Sequence, residues 1–447
     1  MFKDAANKVR SLLIQLKNKG WRYWAPVFGL LILGTILGMW LGERYVWIRM
    51  RYAIYGWIQN ATRVTNPAKN TVVVLIDDEE YWKGELARRA PLNRDYLAKL
   101  LTKLATGAPA TIALDIDLRS PIPERGTQEL DVYRVETENL LQTIKTISQK
   151  HDVVLATTIR REGAGFTRSP NVFDDYDFGS GRVSHGYVTL PHDLRQVPLS
   201  VPVKNRAERE DSFAGAIAKT REETMVRAAE QQEHRGFPYG SFYVPKEFRK
   251  EYTSKILNAD ERELLELLKG RVVIVGGAWH TGSYKGPIRD EDYSGSVDLH
   301  FTPAGEIPGA FVHANYVEAL LSGSALRQMP KPVVLGIEIF CSLLVAIAFA
   351  LEGSLRRKFG RVLLLSIALV GISYMSWQNL GLYFDFFIPI LLLSFHAPIE
   401  QLRETRTELR RLRERVKELE KDNPEPTPGR DAVGDVVPGS IENVAVV

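Results

Sequence analysis

The sequence predicts an α/β domain tethered by four apolar membrane spans and followed by a short coiled coil. Three patterns carry that expectation. Between residues 43 and 330, short β-branched runs alternate with segments of helical period. Four apolar stretches flank this region, one before it and three after. Beyond the last of them, apolar residues recur at steps of three and four.

Within the α/β region, Thr71–Ile76 (TVVVLI) is a continuous apolar run, as in a strand buried on both faces. Arg94–Thr106 follows, with Tyr96, Leu97, Leu100, Leu101 and Leu104 at helical spacing. Thr111–Ile116 (TIALDI) is a second buried strand, Val135–Lys150 a helix, and Asp152–Thr158 (DVVLATT) a third strand. Gly163–Arg182 is polar and irregular. Ser212–Thr220 reads as a helix inside a densely charged insertion, Asn205–His234, and Ala259–Lys269 as another. Val272–Val275 is a strand closed by Gly276–Gly277, and Phe311–Leu321 is a final helix. Strand–helix–strand order argues a sheet with parallel pairing.

The first apolar stretch, Trp24–Gly42, has no charge in 19 residues and is flanked by aromatic side chains. It is long enough for an uncleaved anchor. The other three are Val333–Leu351, Val362–Trp377 and about Leu380–Ala397. The second carries Glu338 one turn or so inside the outer interface, and the last carries Asp385 near its end. Orientation follows the Lys/Arg bias. The first 23 residues hold six basic side chains against Asp4, and the loop between the second and third spans holds Arg356, Arg357, Lys358 and Arg361. The loop between the third and fourth, QNLGLYFD, has none. These counts place both termini in the cytoplasm, residues 43–330 outside, and the protein in the plasma (inner) membrane.

Composition narrows the function. The net charge of +4 gives no argument for nucleic acid, and a single cysteine, Cys341, excludes an intrachain disulfide framework. No GxSxG, Walker A, HExxH or CxxC motif occurs, so neither an enzyme nor a cofactor is expected, and an outer-face enzyme using the acidic strand ends is the least favoured of three readings. Carboxylates do gather at strand ends: Asp77, Asp78, Glu79 and Glu80 after the first strand, Asp115 and Asp117 at the second. Ligands of α/β sheets sit beyond these ends. Asp77, Asp78, Asp115 and Asp117, with Arg94, could line a pocket for a cation or polar ligand. The alternative is that they cap the following helices. His280, His300 and His313 lack a metal-ligand spacing and read as surface or capping residues. Phe311–Leu321 is too densely apolar for a free surface helix, which makes His313 and Asn315 structural, held by backbone or strand-end partners.

From the last span, Leu402, Thr405, Leu409, Leu412, Val416 and Leu419 trace an a/d seam with Arg and Glu between them, ending in a Pro-rich tail from Pro424. Such a coil makes a homodimer or pairs with another coiled-coil membrane protein. No catalytic domain follows it in the sequence, so the output is expected in a separate protein.

These residues resemble a known family. VVVLIDDEEYWKGELARRAPLNRDYLAKLLTKLATGAPATIALDIDL is similar to the opening of the CHASE2 sensory domain. GRVVIVGG and EIPGAFVHANYVEALLSG resemble its later strand and closing helix. The departures are Pro91–Leu92–Asn93 before Arg94 and Gly277–Ala278–Trp279–His280 after the late strand. The resemblance implies an extracytoplasmic CHASE2-type α/β domain that senses an unidentified ligand or protein. The expected layout is a basic N-terminus (1–23), a span (24–42), the sensory domain (43–330), three spans (331–399), a coiled coil (400–422) and a tail (423–447). The leading expectation is a sensor or adaptor relaying binding across the bilayer. The alternative is a docking subunit of an envelope complex.

Overall fold

A computed structural model describes residues 45–62, 68–119, 127–163, 165–204, 209–230, 237–286, 288, 293–328, 355–383 and 408–418, with scattered positions at 332–347 and 405–406. The expected first span, the fourth beyond Tyr383, the tail, and the seam residues Leu402 and Leu419 lie outside the described residues. The chain divides into two compact units, Met1–Leu392 and Leu393–Val447.

The first unit opens with α1 (Tyr45–Thr62), β1 (Thr71–Ile76), α2 (Arg94–Thr106), β2 (Thr111–Leu114), α3 (Thr127–Ile147) and β3 (Asp152–Thr157). A hairpin of β4 (Ile159–Glu162) and β5 (Gly165–Arg168) precedes β6 (Val183–Tyr187). A second small pair, β7 (Ser200–Pro202) and β8 (Arg209–Asp211), leads into α4 (Phe213–Glu230). Then come β9 (Arg249–Tyr252), α5 (Thr253–Asn258), α6 (Glu261–Leu268) and β10 (Val272–Gly277). A hairpin of β11 (Leu299–Thr302) and β12 (Gly305–Pro308) runs into α7 (Gly309–Leu321). β13 (Arg327–Gln328), α8 (Leu355–Leu380) and β14 (Leu382–Tyr383) complete the unit.

Six strands form one sheet in the order β6-β3-β2-β10-β1-β9, and every pairing is parallel. The chain lays down β1, leaves a gap, continues through β2, β3 and β6, crosses to the far edge for β9, and fills the gap last with β10. Alternation along the strands splits the core into two layers. Val72, Val74 and Ile76 of β1 face Leu97, Leu100, Leu101 and Leu104 of α2, with Leu140 and Ile144 of α3 and Leu264 and Leu268 of α6. Val73 and Leu75 face the opposite layer, with Phe213 and Ile217 of α4, Phe311, Val312 and Tyr316 of α7, and Tyr55 of α1. The result is a doubly wound sheet with helices on both faces.

α7 is pinned at both ends. Gly276 on β10 allows the close approach at its start, because a Cβ there would come within 2.6 Å of the Ala310 side chain. Near its far end, the buried Glu318 carboxylate accepts hydrogen bonds from the backbone N–H of Asn70 (2.7 Å) and Thr71 (2.8 Å) and from the Thr71 hydroxyl (2.8 Å). The last turn of α7 is thereby tied to the first residue of β1.

α1 is part of the same body. Gln59 pairs with both backbone groups of Phe242, and the Tyr55 hydroxyl donates to the Gly240 carbonyl at 2.8 Å. At the other end of the chain, β14 pairs with β13 through Arg327–Leu382 and Gln328–Tyr383. The Tyr383 ring lies 4.8 Å from that of Tyr55, and Trp377 of α8 lies 5.1 Å from Tyr55. Among the described residues, no helix is long and apolar enough to cross a membrane. α8 contains the whole of the expected third span and exposes Leu363, Leu364, Ile367 and Met375. In the second unit, residues 408–418 are helical, and Leu409, Leu412 and Val416 are at least half exposed.

Candidate functional site

The five carboxylate and arginine positions expected to share a pocket are not brought together. β10 lies between β1 and β2, so the ends of those strands are two spacings, about 10 Å, apart. Asp78 is fully buried and turns toward the loop after β10. Its carboxylate accepts from the backbone N–H of His280 (2.6 Å) and of Lys285 (3.0 Å), and the His280 ring Nδ1 lies 2.9 Å away. Asp77 accepts from the Glu80 N–H at 3.2 Å in the π turn Glu79–Lys83, and burial raises its carboxyl above the usual range. Arg94 is 1 % exposed. It donates to the Thr137 hydroxyl and to the Arg119 carbonyl (3.1 Å), so it packs α2 against α3. Asp117 is exposed and pairs with Arg119. Four of the five residues therefore stabilise turns, helix ends or the surface.

Asp115 alone opens onto a cleft. It follows β2, and Thr158 and Val188–Thr189 follow β3 and β6, so the cleft lies beyond the carboxyl ends of three adjacent strands. Ile48 and Tyr52 of α1 form another wall, Leu190, Pro191, His192 and Leu194 a third, and Asp298, His300, Phe301 and His313 the last. Its volume is about 630 Å³. Among the described residues, no Lys or Arg lines it.

Local geometry sets each polar group. Asp298 has φ of +52°, and a Cβ on Gly309 would overlap its carboxylate, so Gly309 makes room for an acid at the start of α7. The same acid lies 2.7 Å from Nε2 of His300. Burial, then the Asp298 charge, pushes the Asp115 carboxyl up to about 8. Burial pulls His313 down to about 4; Asp298 opposes this and His300 adds to it. Asp115 is thus a neutral acid and His313 a neutral imidazole at pH 7. His313 is 3 % exposed, packs edge-on to Phe213 at 5.2 Å, and has no hydrogen-bond partner among the described residues. The expectation that backbone or strand-end groups hold it is corrected: its ring faces the cleft, and only aromatic neighbours fix it. Asn315, two residues on, is fully buried. Its Nδ2 donates to the carbonyls of Tyr243 (3.2 Å) and Phe311 (2.9 Å), and its Oδ1 accepts from the Tyr243 N–H (2.5 Å).

Asp298, His300, His192 and Tyr52 were not expected at the site. The Asp–x–His spacing at residues 298–300, just ahead of the Pro–Gly that starts α7, was the available signal. Among the described residues, no three His, Cys, Asp or Glu side chains are grouped to hold a metal ion.

A doubly wound parallel sheet with an open cleft beyond its strand ends is a fold that receives ligands there. The CHASE2 domain matches residues 27–348, and the chain belongs to that family. CHASE2 is a family of extracytoplasmic sensor domains, consistent with a sensing role. No curated protein and no solved structure matches the chain.

Proposed function

We propose that this protein is a membrane-anchored sensor. Its outer domain binds a small ligand in the Asp115–His313 cleft and relays binding through the bilayer to a coiled coil that engages a separate protein. The observation that carries this reading is the position of one wall. Leu194 lines the cleft, its N–H donates to the Tyr52 hydroxyl of α1 at 2.8 Å, and its carbonyl accepts from Tyr316 of α7 at 2.7 Å. The next residue, Arg195, is 1 % exposed. It is held by Asp193, donates to the Tyr383 hydroxyl at 3.1 Å, and lies over the rings of Tyr52, Tyr55, Tyr239 and Tyr383. A ligand that moves this wall acts on α1, which follows the first expected span, and on Tyr383, which sits between the third and fourth.

The same contact supports the topology. Tyr383 belongs to the loop expected outside, and it docks on the domain expected outside. In this reading residues 24–42 and the stretches at 333–351, 362–377 and about 380–397 cross the bilayer, the last entering it beyond Tyr383, with both termini cytoplasmic.

The relay is tested without knowing the ligand. Oxidative crosslinking of Leu409→Cys, in a Cys341→Ser background in native membranes, should change in rate when Asp298→Asn or Arg195→Met is added. Identical crosslinking in all three proteins would refute a relay and favour a passive docking subunit.

A further inference from the structure

We infer that the cleft takes a primary organic amine, bound as its ammonium ion by Asp115 and Asp298. The inference rests on the sensing reading and names its ligand class. Three observations converge. Two acids from distant segments, Asp115 and Asp298, meet in the cleft, where no Lys or Arg among the described residues lines the wall and His300, 2.7 Å from Asp298, is the basic group beside them. Arg49 of α1 is engaged at the rim: it pairs with Glu306 at 3.3 Å and lies over the ring of Phe301, a cleft residue, at 4.5 Å. His313 is 97 % buried, lacks a hydrogen-bond partner among the described residues, and faces the cleft. The ring presents an acceptor nitrogen to the cleft that a ligand N–H would satisfy.

The chemistry excludes other occupants. An organic anion would meet two acids and, among the described residues, no Lys or Arg. A metal ion lacks a grouped ligand set among the described residues. An ammonium group supplies the missing positive charge, and the apolar wall of Ile48, Leu190 and Leu194 suits a hydrocarbon stem. The groups facing Asp115 are Asp298 and His300 from the β11 region, His313 from α7, Tyr52 from α1, and His192. With a carboxyl raised to about 8, Asp115 is protonated at pH 7 in the empty cleft. Arrival of an ammonium ion favours the ionised form, so the Asp115 proton leaves to solvent as the amine enters.

The test uses the full chain in lipid nanodiscs and four probes: n-butylamine, n-butanol, butyrate and zinc chloride. The three organic probes share one stem and differ in head group. Millimolar n-butylamine should raise the melting temperature, and n-butanol, butyrate and zinc should not. Calorimetry at pH 7 in buffers of different ionisation enthalpy should show release of about one proton per site. Asp115→Asn should abolish proton release and the thermal shift, and Asp298→Asn should weaken binding at least tenfold. A shift caused by n-butanol, butyrate or zinc in place of the amine overturns the amine class while leaving the sensing cleft standing. An amine shift unchanged in Asp115→Asn, or no shift with any probe, overturns it too. A normal amine response with unaltered Leu409→Cys crosslinking supports the amine site and sinks the relay instead.

Discussion

Asp78 and His280 are joined twice, once through the His280 backbone N–H at 2.6 Å and once through its ring Nδ1 at 2.9 Å. This pair closes the turn after β10 against the end of β1, with the Lys285 N–H as a third contact. It explains why a carboxylate at a strand end is buried away from the cleft.

Removing it should therefore cost stability and leave the cleft intact. Asp78→Ala strands at least two buried donors and should destabilise the domain by about 3 kcal/mol, with Asp78→Asn milder. Melting followed by tryptophan fluorescence should show a drop of about 2–4 °C per kcal/mol. An unchanged melting temperature would contradict a structural role.

Asn315 makes the parallel case on α7. Two of its three backbone bonds hold the Tyr243 segment to the helix, and the third goes to Phe311 one turn back. Asn315→Ala should destabilise by roughly 1–3 kcal/mol, while Asn315→Asp should fare little better because the Nδ2 donor is gone. Full stability of Asn315→Ala with loss of output would move this residue into the functional site.

Asp115 and His313 give the domain a pH signature. Asp115 has a folded-state value raised from 3.8 to about 8, so the native state holds its proton more tightly. Its contribution is full below 3.8 and is lost as pH rises to about 8. His313 is depressed from 6.5 to about 4, so its contribution is present above 6.5 and lost as pH falls toward 4. Between about 4 and 6.5 the two slopes oppose; above 6.5 only that of Asp115 remains. Wild-type stability relative to Asp115→Asn should fall by on the order of 2 kcal/mol from pH 6.5 to 8. Parallel stability curves for the two proteins across that window would show that Asp115 is already ionised.

The sequence revealed some of this and hid the rest for physical reasons. Strand β1 and helix α2 were legible to the residue because both faces of the strand and one stripe of the helix are buried. Strands β6 (VSHGY) and β9 (RKEY) were missed. They are the sheet's edges, half exposed and polar, so they leave no apolar run. Asp115 was found by the rule that ligands sit beyond strand ends. Its partners could not be found that way, since Asp298 and His313 reach it only because β10 inserts between β1 and β2. Nothing in a local pattern records an insertion made 160 residues later.

Topology is checked by accessibility. Glu138→Cys on exposed α3 and Gly360→Cys on α8, each in Cys341→Ser, should react oppositely with an impermeant thiol reagent in intact cells. Labelling is expected at 138 and absent at 360. The reverse pattern would invert the orientation, and labelling of both would break the assignment of the second span.

The coil prediction rests on an apolar stripe that the single chain leaves uncovered. Leu409, Leu412 and Val416 are 50 %, 57 % and 52 % exposed on one helix, at spacings of three and four. A surface helix gains nothing from that stripe unless another helix covers it. The seam from Leu402 to Leu419 covers about two and a half heptads, which is marginal for an isolated coil. In the proposed arrangement the membrane segments raise the local concentration of the strands. Thr405 weakens the first heptad of that seam, so the most easily opened turn of the proposed coil lies at its bilayer end. Single cysteines at Leu409 and Leu412, in the Cys341→Ser background, should crosslink across the seam in native membranes, and Arg413→Cys should not. Dissolving the membrane in detergent should lower the yield at both seam positions. Equal crosslinking at all three, or at none, would show that the register or the dimer is wrong.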